Sequence, residues 1–204
     1  DAIELRKRVL ESGRIKIRER TTLGSEESLQ LLKEQKVDLA FLQGGFEIPP
    51  AMPRLQIPQS ETLLFFLRQG RSGVADVRQI LTSEIHQGSH TAAQQFIKFW
   101  RIEDRVQFLH DWRSLSADVN YQIPESVDAV FVIKDLASEN TFTGVKRLHE
   151  AGFRLASPNI GARALGLDYL KPTEMPPRYL ETNPTVPDQA VMTYNVASYL
   201  VARQ

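Results

Sequence analysis

The sequence predicts an α/β protein of two lobes facing each other across a cleft. Two observations predict it. The stretch Thr21 to Gly45, TTLGSEESLQLLKEQKVDLAFLQGG, reads as a hydroxyl-rich turn, an amphipathic helix and a short buried strand. The same parts then recur in the same order. Gln87-Gly88-Ser89-His90-Thr91 opens a second helix, and Val127 to Val132 (VDAVFV) echoes Val37 to Leu42 (VDLAFL). A repeated turn, helix and strand marks an internal duplication, and two such halves set their turns across a common cleft.

Within the first unit, Ser25 followed by Ser28 and an apolar run suits a helix start. Glu26 and Glu27 then sit at the end that carries partial positive charge. Leu29, Leu32 and the stem of Lys33 supply the apolar stripe. Val37 to Leu42 has the length and composition of a buried parallel strand. Gln43-Gly44-Gly45 ends it with one polar side chain and two flexible residues. Ligands of open parallel sheets settle beyond the carboxyl ends of the strands, so turn and loop are expected at one edge.

The remaining elements follow in order. Ile3 to Leu10 reads as a helix stopped by Ser12-Gly13, and Ile15 to Glu19 alternates like an edge strand. Glu47 to Pro58 holds four prolines and no helical period, so it is a loop. Leu63 to Leu67 is a continuous apolar strand, and Gln69-Gly70-Arg71-Ser72-Gly73 supports a flexible turn after it. Val74 to Leu81 reads as a short helix and Glu84 to His86 as a weak strand. Ala92, Ala93, Phe96, Ile97 and Trp100 give the second helix its buried face. Arg105 to Leu109 is expected as a strand, His110 to Ser114 as a polar loop, Thr143 to Glu150 as a helix ended by Gly152, and Phe153 to Ala156 as a strand. Asn159 to Leu170 is partly helical, weakened by two glycines. Lys171 to Pro187 is extended, and Val191 to Val201 returns as a strand into the first lobe. The lobes are expected to comprise 1–66 with 190–204, and 67–189.

Composition narrows the function. The 204 residues carry 25 basic and 25 acidic side chains, so the field that draws nucleic acid or an anionic membrane is missing. There is no cysteine, which excludes thiol catalysis and cysteine-ligated zinc. No apolar run approaches the roughly 20 residues that cross a bilayer. Neither a dinucleotide fingerprint nor a phosphate-loop lysine motif is present, and no cofactor is expected.

The two hydroxyl turns are the leading site candidates. A turn opening a helix presents free N–H groups and partial positive charge to a carboxylate or phosphate. The alternative for Ser25 and Ser89 is simple helix capping. Gln43 can donate and accept toward a ligand, or bond to its own loop. His86 and His90 stand four apart but are separated by a Gly-Ser turn, so a shared metal is not expected. His90 is expected to point into the cleft or cover its rim. Ser89, His90 and Asp111 do not suit a hydrolase triad, because adjacent Ser and His cannot easily reach the geometry. Trp112 and Tyr121 either stack on a ligand or pack as core and rim; Arg113 either pairs with a carboxylate or is solvated.

These segments resemble a known family. The T-x-G-S turn with its helix and V-D-L-A-F-L-Q strand is similar to the first lobe of TAXI-type solute receptors of TRAP transporters. Gly88-Ser89-His90-Thr91 is similar to that family's second-lobe G-S-G-T, and Val127 to Phe131 to its V-D-A-x-F. Gln189 to Arg203 resembles its return strand, and because the family's strand at Leu63 to Leu67 leads out of the first lobe, the resemblance implies a hinge near Phe66 to Gly70. His90 replaces the middle Gly, and Ser28 stands where Asn is usual. The family's opening strand and C-terminal helices lie outside the chain. The resemblance implies a type II periplasmic-binding-protein-like fold without bond chemistry. It also implies a small carboxylated solute, amino acid or dicarboxylate, and membrane transporter subunits as partners in an extracytoplasmic, possibly membrane-anchored setting. Under it Ser25, Ser89 and Thr91 hold the anionic end, Thr22 and Gln43 fix orientation, and Gly24, Gly44, Gly88 and His90 complete the lining. A ligand-sensing or regulatory domain of the same fold is the alternative.

Overall fold

A computed structural model describes residues 17–58, 60–180 and 186–204. The helix expected over Ile3 to Leu10 lies outside them, and residues 17–19 are irregular rather than strand.

The small lobe holds α1 (Ser25–Lys33), β1 (Leu39–Gln43), β2 (Arg54–Gln56) and β10 (Ser198–Ala202). Its sheet runs β1-β10-β2, antiparallel throughout. The buried parallel setting expected for Val37 to Leu42 is therefore corrected. β10 starts at the edge where β1 ends, with Ser198 opposite Gln43, and so must run against it. The β1 burial is correspondingly partial, with Leu42 buried and Leu39 exposed. An antiparallel sheet can leave one face to water. Leu29 and Leu32 of α1 pack with Leu42, Ile48, Met52 and Val201 on the other face.

The large lobe is built on a sheet of order β5-β4-β6-β3-β9-β8, with β7 pairing β3. These strands are β3 (Glu61–Arg68), β4 (Gln79–Leu81), β5 (Gln107–Leu109), β6 (Ala129–Lys134), β7 (Phe153–Leu155), β8 (Leu170–Met175) and β9 (Val191–Val196). The helices are α2 (Gly88–Trp100), α3 (Trp112–Ala117) and α4 (Glu139–Glu150). The apolar runs of β3 and β6 are continuous because both faces are covered. Leu63, Phe65, Phe131 and Ile133 pack with Ala92, Ala93 and Phe96 of α2. Leu64, Phe66, Val130 and Val132 pack with Trp112, Val145 and Leu148 of α3 and α4. Each such burial contributes about 1.5–3 kcal/mol, so Phe131→Ala is expected to cost about 3–5 kcal/mol.

Several local expectations change. Strand 61–68 belongs by pairing to the large sheet. The chain crosses between sheets after Gln56 and returns through Ala197, so neither crossing is at Phe66 to Gly70. Val74 to Leu81 yields one 3-10 turn, Val74–Asp76, and then β4. The Asp128 carboxylate accepts the N–H groups of Arg78 (2.7 Å) and Gln79 (3.0 Å), which draws that backbone into the sheet. Glu84 to His86 is a turn, not a strand. The polar loop expected over His110 to Ser114 gives way to α3, whose Trp112 and Leu115 share a buried face. Val191 to Val201 is two strands broken at Ala197.

Candidate functional site

Both helix starts face the end of a strand. Ser25 is the first residue of α1, and its hydroxyl accepts the Gln43 N–H at 3.0 Å. Ser89 lies in the first turn of α2, and its hydroxyl accepts the Ile133 N–H at 2.9 Å. Gln43 and Ile133 occupy the same place in the two V-D echoes, each five residues beyond the Asp. The N-cap positions are Gly24 and Gln87, so neither serine is the cap of its helix. Each pins a helix mouth to a strand end instead.

The two mouths open onto one cavity of 480 Å³. That volume lies within the range of about 300–1,000 Å³ usual for small-molecule sites. From the small lobe it is lined by Gly24, Ser25, Gln43 and Ser198, and from the large lobe by Glu61, Gly88, Ser89, Lys134 and Asp135. Ile57 and Ser60, beside one crossing between the sheets, line it as well.

Five of the nine expected residues are thus brought together: Gly24, Ser25, Gln43, Gly88 and Ser89. Four are placed elsewhere. The Thr22 hydroxyl bonds that of Ser28 at 2.8 Å. Gly44 is buried behind the loop, its N–H donating to Ala197 O at 2.8 Å, and an added Cβ would meet Tyr169 at 2.4 Å. Thr91 turns back on Gln87 O at 3.4 Å. His90, expected in the cleft or on its rim, is buried against Phe108, and its Nδ1 lies 3.1 Å from His110 Nε2. Its position in the first turn of α2 points the ring at β5, because Ser89 already takes the direction of β6.

The remaining candidates also separate. His86 pairs with Glu26 at 2.7 Å, while His90 pairs with His110. Among the described residues no group of three or more His, Asp or Glu is placed to hold a metal ion. Asp111 accepts the Tyr121 hydroxyl at 3.1 Å, away from Ser89. Trp112 packs in the core and Arg113 is exposed.

Three charged residues complete the cavity, Glu61, Lys134 and Asp135, and sequence reasoning passed over all of them. Glu61 opens β3 and Lys134 closes β6. The antiparallel register Thr62↔Lys134 brings them to one edge. Burial pushes the Glu61 carboxyl above its usual range, opposed by the Gln43 amide and by Lys134. Burial likewise lowers the Lys134 ammonium, opposed by Glu61 and Glu84. The Lys134 ammonium also sits 5.8 Å from the Trp112 ring centroid. The duplication held a signal for Lys134, which follows the second V-D echo where Gly44 follows the first. Glu61 had none, since a charge before an apolar strand usually faces water. Gln43 Nε2 donates to Glu61 Oε2, and among the described residues its buried Oε1 has no hydrogen-bond partner.

No protein-family model matches this chain, and no curated protein matches its sequence. Solved structures do. A histidine kinase sensor domain with similarity to periplasmic binding proteins matches with a TM-score of 0.51 and 13% identity, over 99% of this chain and 71% of that one. XAC2383 from Xanthomonas citri, bound to ATP, matches with a TM-score of 0.50 and 10% identity, over 97% of this chain and 69% of that one. At such identities the likeness is one of fold. The architecture is the two-lobed α/β fold of type II periplasmic-binding-protein-like domains.

Proposed function

We propose that this chain is a solute-binding domain that takes a small carboxylated compound into the cavity between its lobes. One observation carries the reading: Ser25 and Ser89, the starts of two helices in different lobes, line a single cavity together with Lys134. Helix mouths and a partly desolvated ammonium favour the same kind of ligand, a compact anion. The crossings after Gln56 and at Ala197 would carry the hinge, and closure would bury the ligand without bond chemistry. In its finer form the reading is an extracytoplasmic receptor that delivers solute to TRAP-type transporter subunits. The motif order of TAXI receptors supports that form.

A second reading is a ligand-sensing domain joined to a membrane or signalling module. The fold likeness to a histidine kinase sensor domain favours it. Both readings require binding. A thermal-shift screen of amino acids, dicarboxylates and hydroxy acids tests it, since a ligand of the folded form raises the melting temperature. Lys134→Met is expected to weaken the best binder by about tenfold or more. No shift with any carboxylate would overturn the reading.

A further inference from the structure

We infer that the two helix mouths form a latch between the lobes, an interlock of Gly24 and Gly88 fastened by Glu26 and His86, which holds the lobes together across the cavity. The latch consists of protein groups alone, so it stands apart from the kind of solute the cavity takes.

Each mouth carries a glycine into which the other lobe fits. Gly24 stands just before α1 in the small lobe. A Cβ added there would lie 2.5 Å from His86 O and 3.0 Å from Gln87 Cα, both backbone atoms of the large lobe. Backbone has no rotamer by which to withdraw. Gly88 is the first residue of α2 in the large lobe. Its added Cβ would lie 1.9 Å from Gln43 Oε1 and 2.6 Å from Gln43 Cδ, at the end of β1 in the small lobe. Gln43 is not free to swing away, because its Nε2 donates to Glu61. Glycine permits such close approach because it has no Cβ, and here the fit is reciprocal.

Polar contacts fasten the seam. Glu26 Oε2 lies 2.7 Å from His86 Nδ1, and the Glu26 N–H donates to His86 O at 3.4 Å. That N–H is one of the first-turn donors a helix leaves without an internal partner, and it is spent on the other lobe. Both side chains are half exposed, so the ion pair alone contributes little. The glycines set the fit and the pair holds it. His86 takes φ 73°, uncommon for a residue with a side chain, and such backbone persists where its surroundings fix it. Further along α2, Gln95 Nε2 donates to Gly45 O at 3.0 Å, so the small lobe meets this helix at a second point. Separating the lobes at their mouths must break these contacts together.

The chain has no cysteine, so Lys33→Cys on α1 and Lys98→Cys on α2, both exposed, place one spin label on each lobe. Pulsed electron paramagnetic resonance distances in the whole chain, with no solute added, test the latch. The labelled parent is expected to give one narrow distance, and Gly24→Ala to lengthen and broaden it. Glu26→Gln is expected to lower the ratio of short to long distances by up to about fivefold. Glu26→Lys combined with His86→Asp is expected to restore it, since Asp tolerates the left-handed backbone. Unchanged distances in both Gly24→Ala and Glu26→Gln would overturn the latch. So would lengthening that appears only with loss of helix signal in circular dichroism. Because nothing is added to the cavity, either failure would leave solute capture standing.

Discussion

Ser89 and Ile133 close a two-way hydrogen bond in the core of the large lobe. The Ile133 N–H donates to Ser89 Oγ at 2.9 Å, and that hydroxyl donates back to Ile133 O at 3.3 Å. Both of its bonds are spent on the strand. Among the described residues Ser25 makes only the first half of this arrangement, accepting from Gln43 N and keeping its own proton to give. The two serines, equivalent in sequence, thus divide the work: one is a brace, the other still has a donor to turn on a ligand.

Ser89→Ala is therefore expected to act first on stability. It strands a buried N–H and a buried carbonyl, at a cost of about 1–3 kcal/mol. Ser25→Ala, on a more open edge, is expected to cost less and to weaken ligand binding more. Urea denaturation beside titration with the best ligand separates the two effects. Equal stability losses would show that the strand ends do not differ in this way.

Glu61 makes the unliganded protein sensitive to pH. Its folded-state pKa is raised by burial, so its contribution is fully present below the ordinary glutamate value and is lost as pH rises through the folded one. Glu61→Gln lacks that loss. The melting temperature of the variant is expected to gain on the wild type as pH increases from acid toward neutral, despite the weaker attraction left to Lys134. A difference that stays flat, or reverses, would mean that Lys134 compensates Glu61 fully.

His90 works in the opposite sense. Burial first, then His110 and His86, hold its pKa below the ordinary histidine value, with Glu26 opposing. A histidine kept neutral by folding stabilises above its unfolded pKa, and that contribution is lost as pH falls toward the folded value. The wild type is expected to lose melting temperature on acidification below about pH 6.5, the ordinary histidine value, and His90→Gln to lose less. Thermal scans of both proteins across this window decide it.

The site was legible in sequence where chemistry and local geometry coincide. Gly-Ser turns before helices and a repeated V-D strand placed Gly24, Ser25, Gln43, Gly88 and Ser89 at one edge, and the structure gathers them there. His90 was misplaced because its neighbour decides its direction: with Ser89 aimed at β6, the next side chain must face β5. Glu61 was hidden because its burial comes from the register of β3 against β6, Thr62 opposite Lys134, which no local pattern records. The antiparallel small sheet was missed for a related reason. Val37 to Leu42 carries the same residues that a parallel strand would, and only the return of the chain through Ala197 sets the direction.

The packing of α3 on α4 gives the last test, because two effects with opposite signs meet at one atom. Gly144 lies in the interior of α4, where replacement by Ala ordinarily gains about 1 kcal/mol of helix propensity. Here a Cβ would stand 2.7 Å from the Trp112 ring, closer than side chains approach. Trp112 is buried and bordered by Leu115 and Leu148, so it has little room to withdraw. Overpacking of a filled core costs about 1–3 kcal/mol, which outweighs the propensity gain. Gly144→Ala is expected to lower stability, and Trp112→Phe in the same chain to recover part of it by relieving the contact. A double-mutant cycle in urea measures the coupling. A stabilised Gly144→Ala variant would show that α4 slides freely over the indole and that the two helices are not locked at this contact.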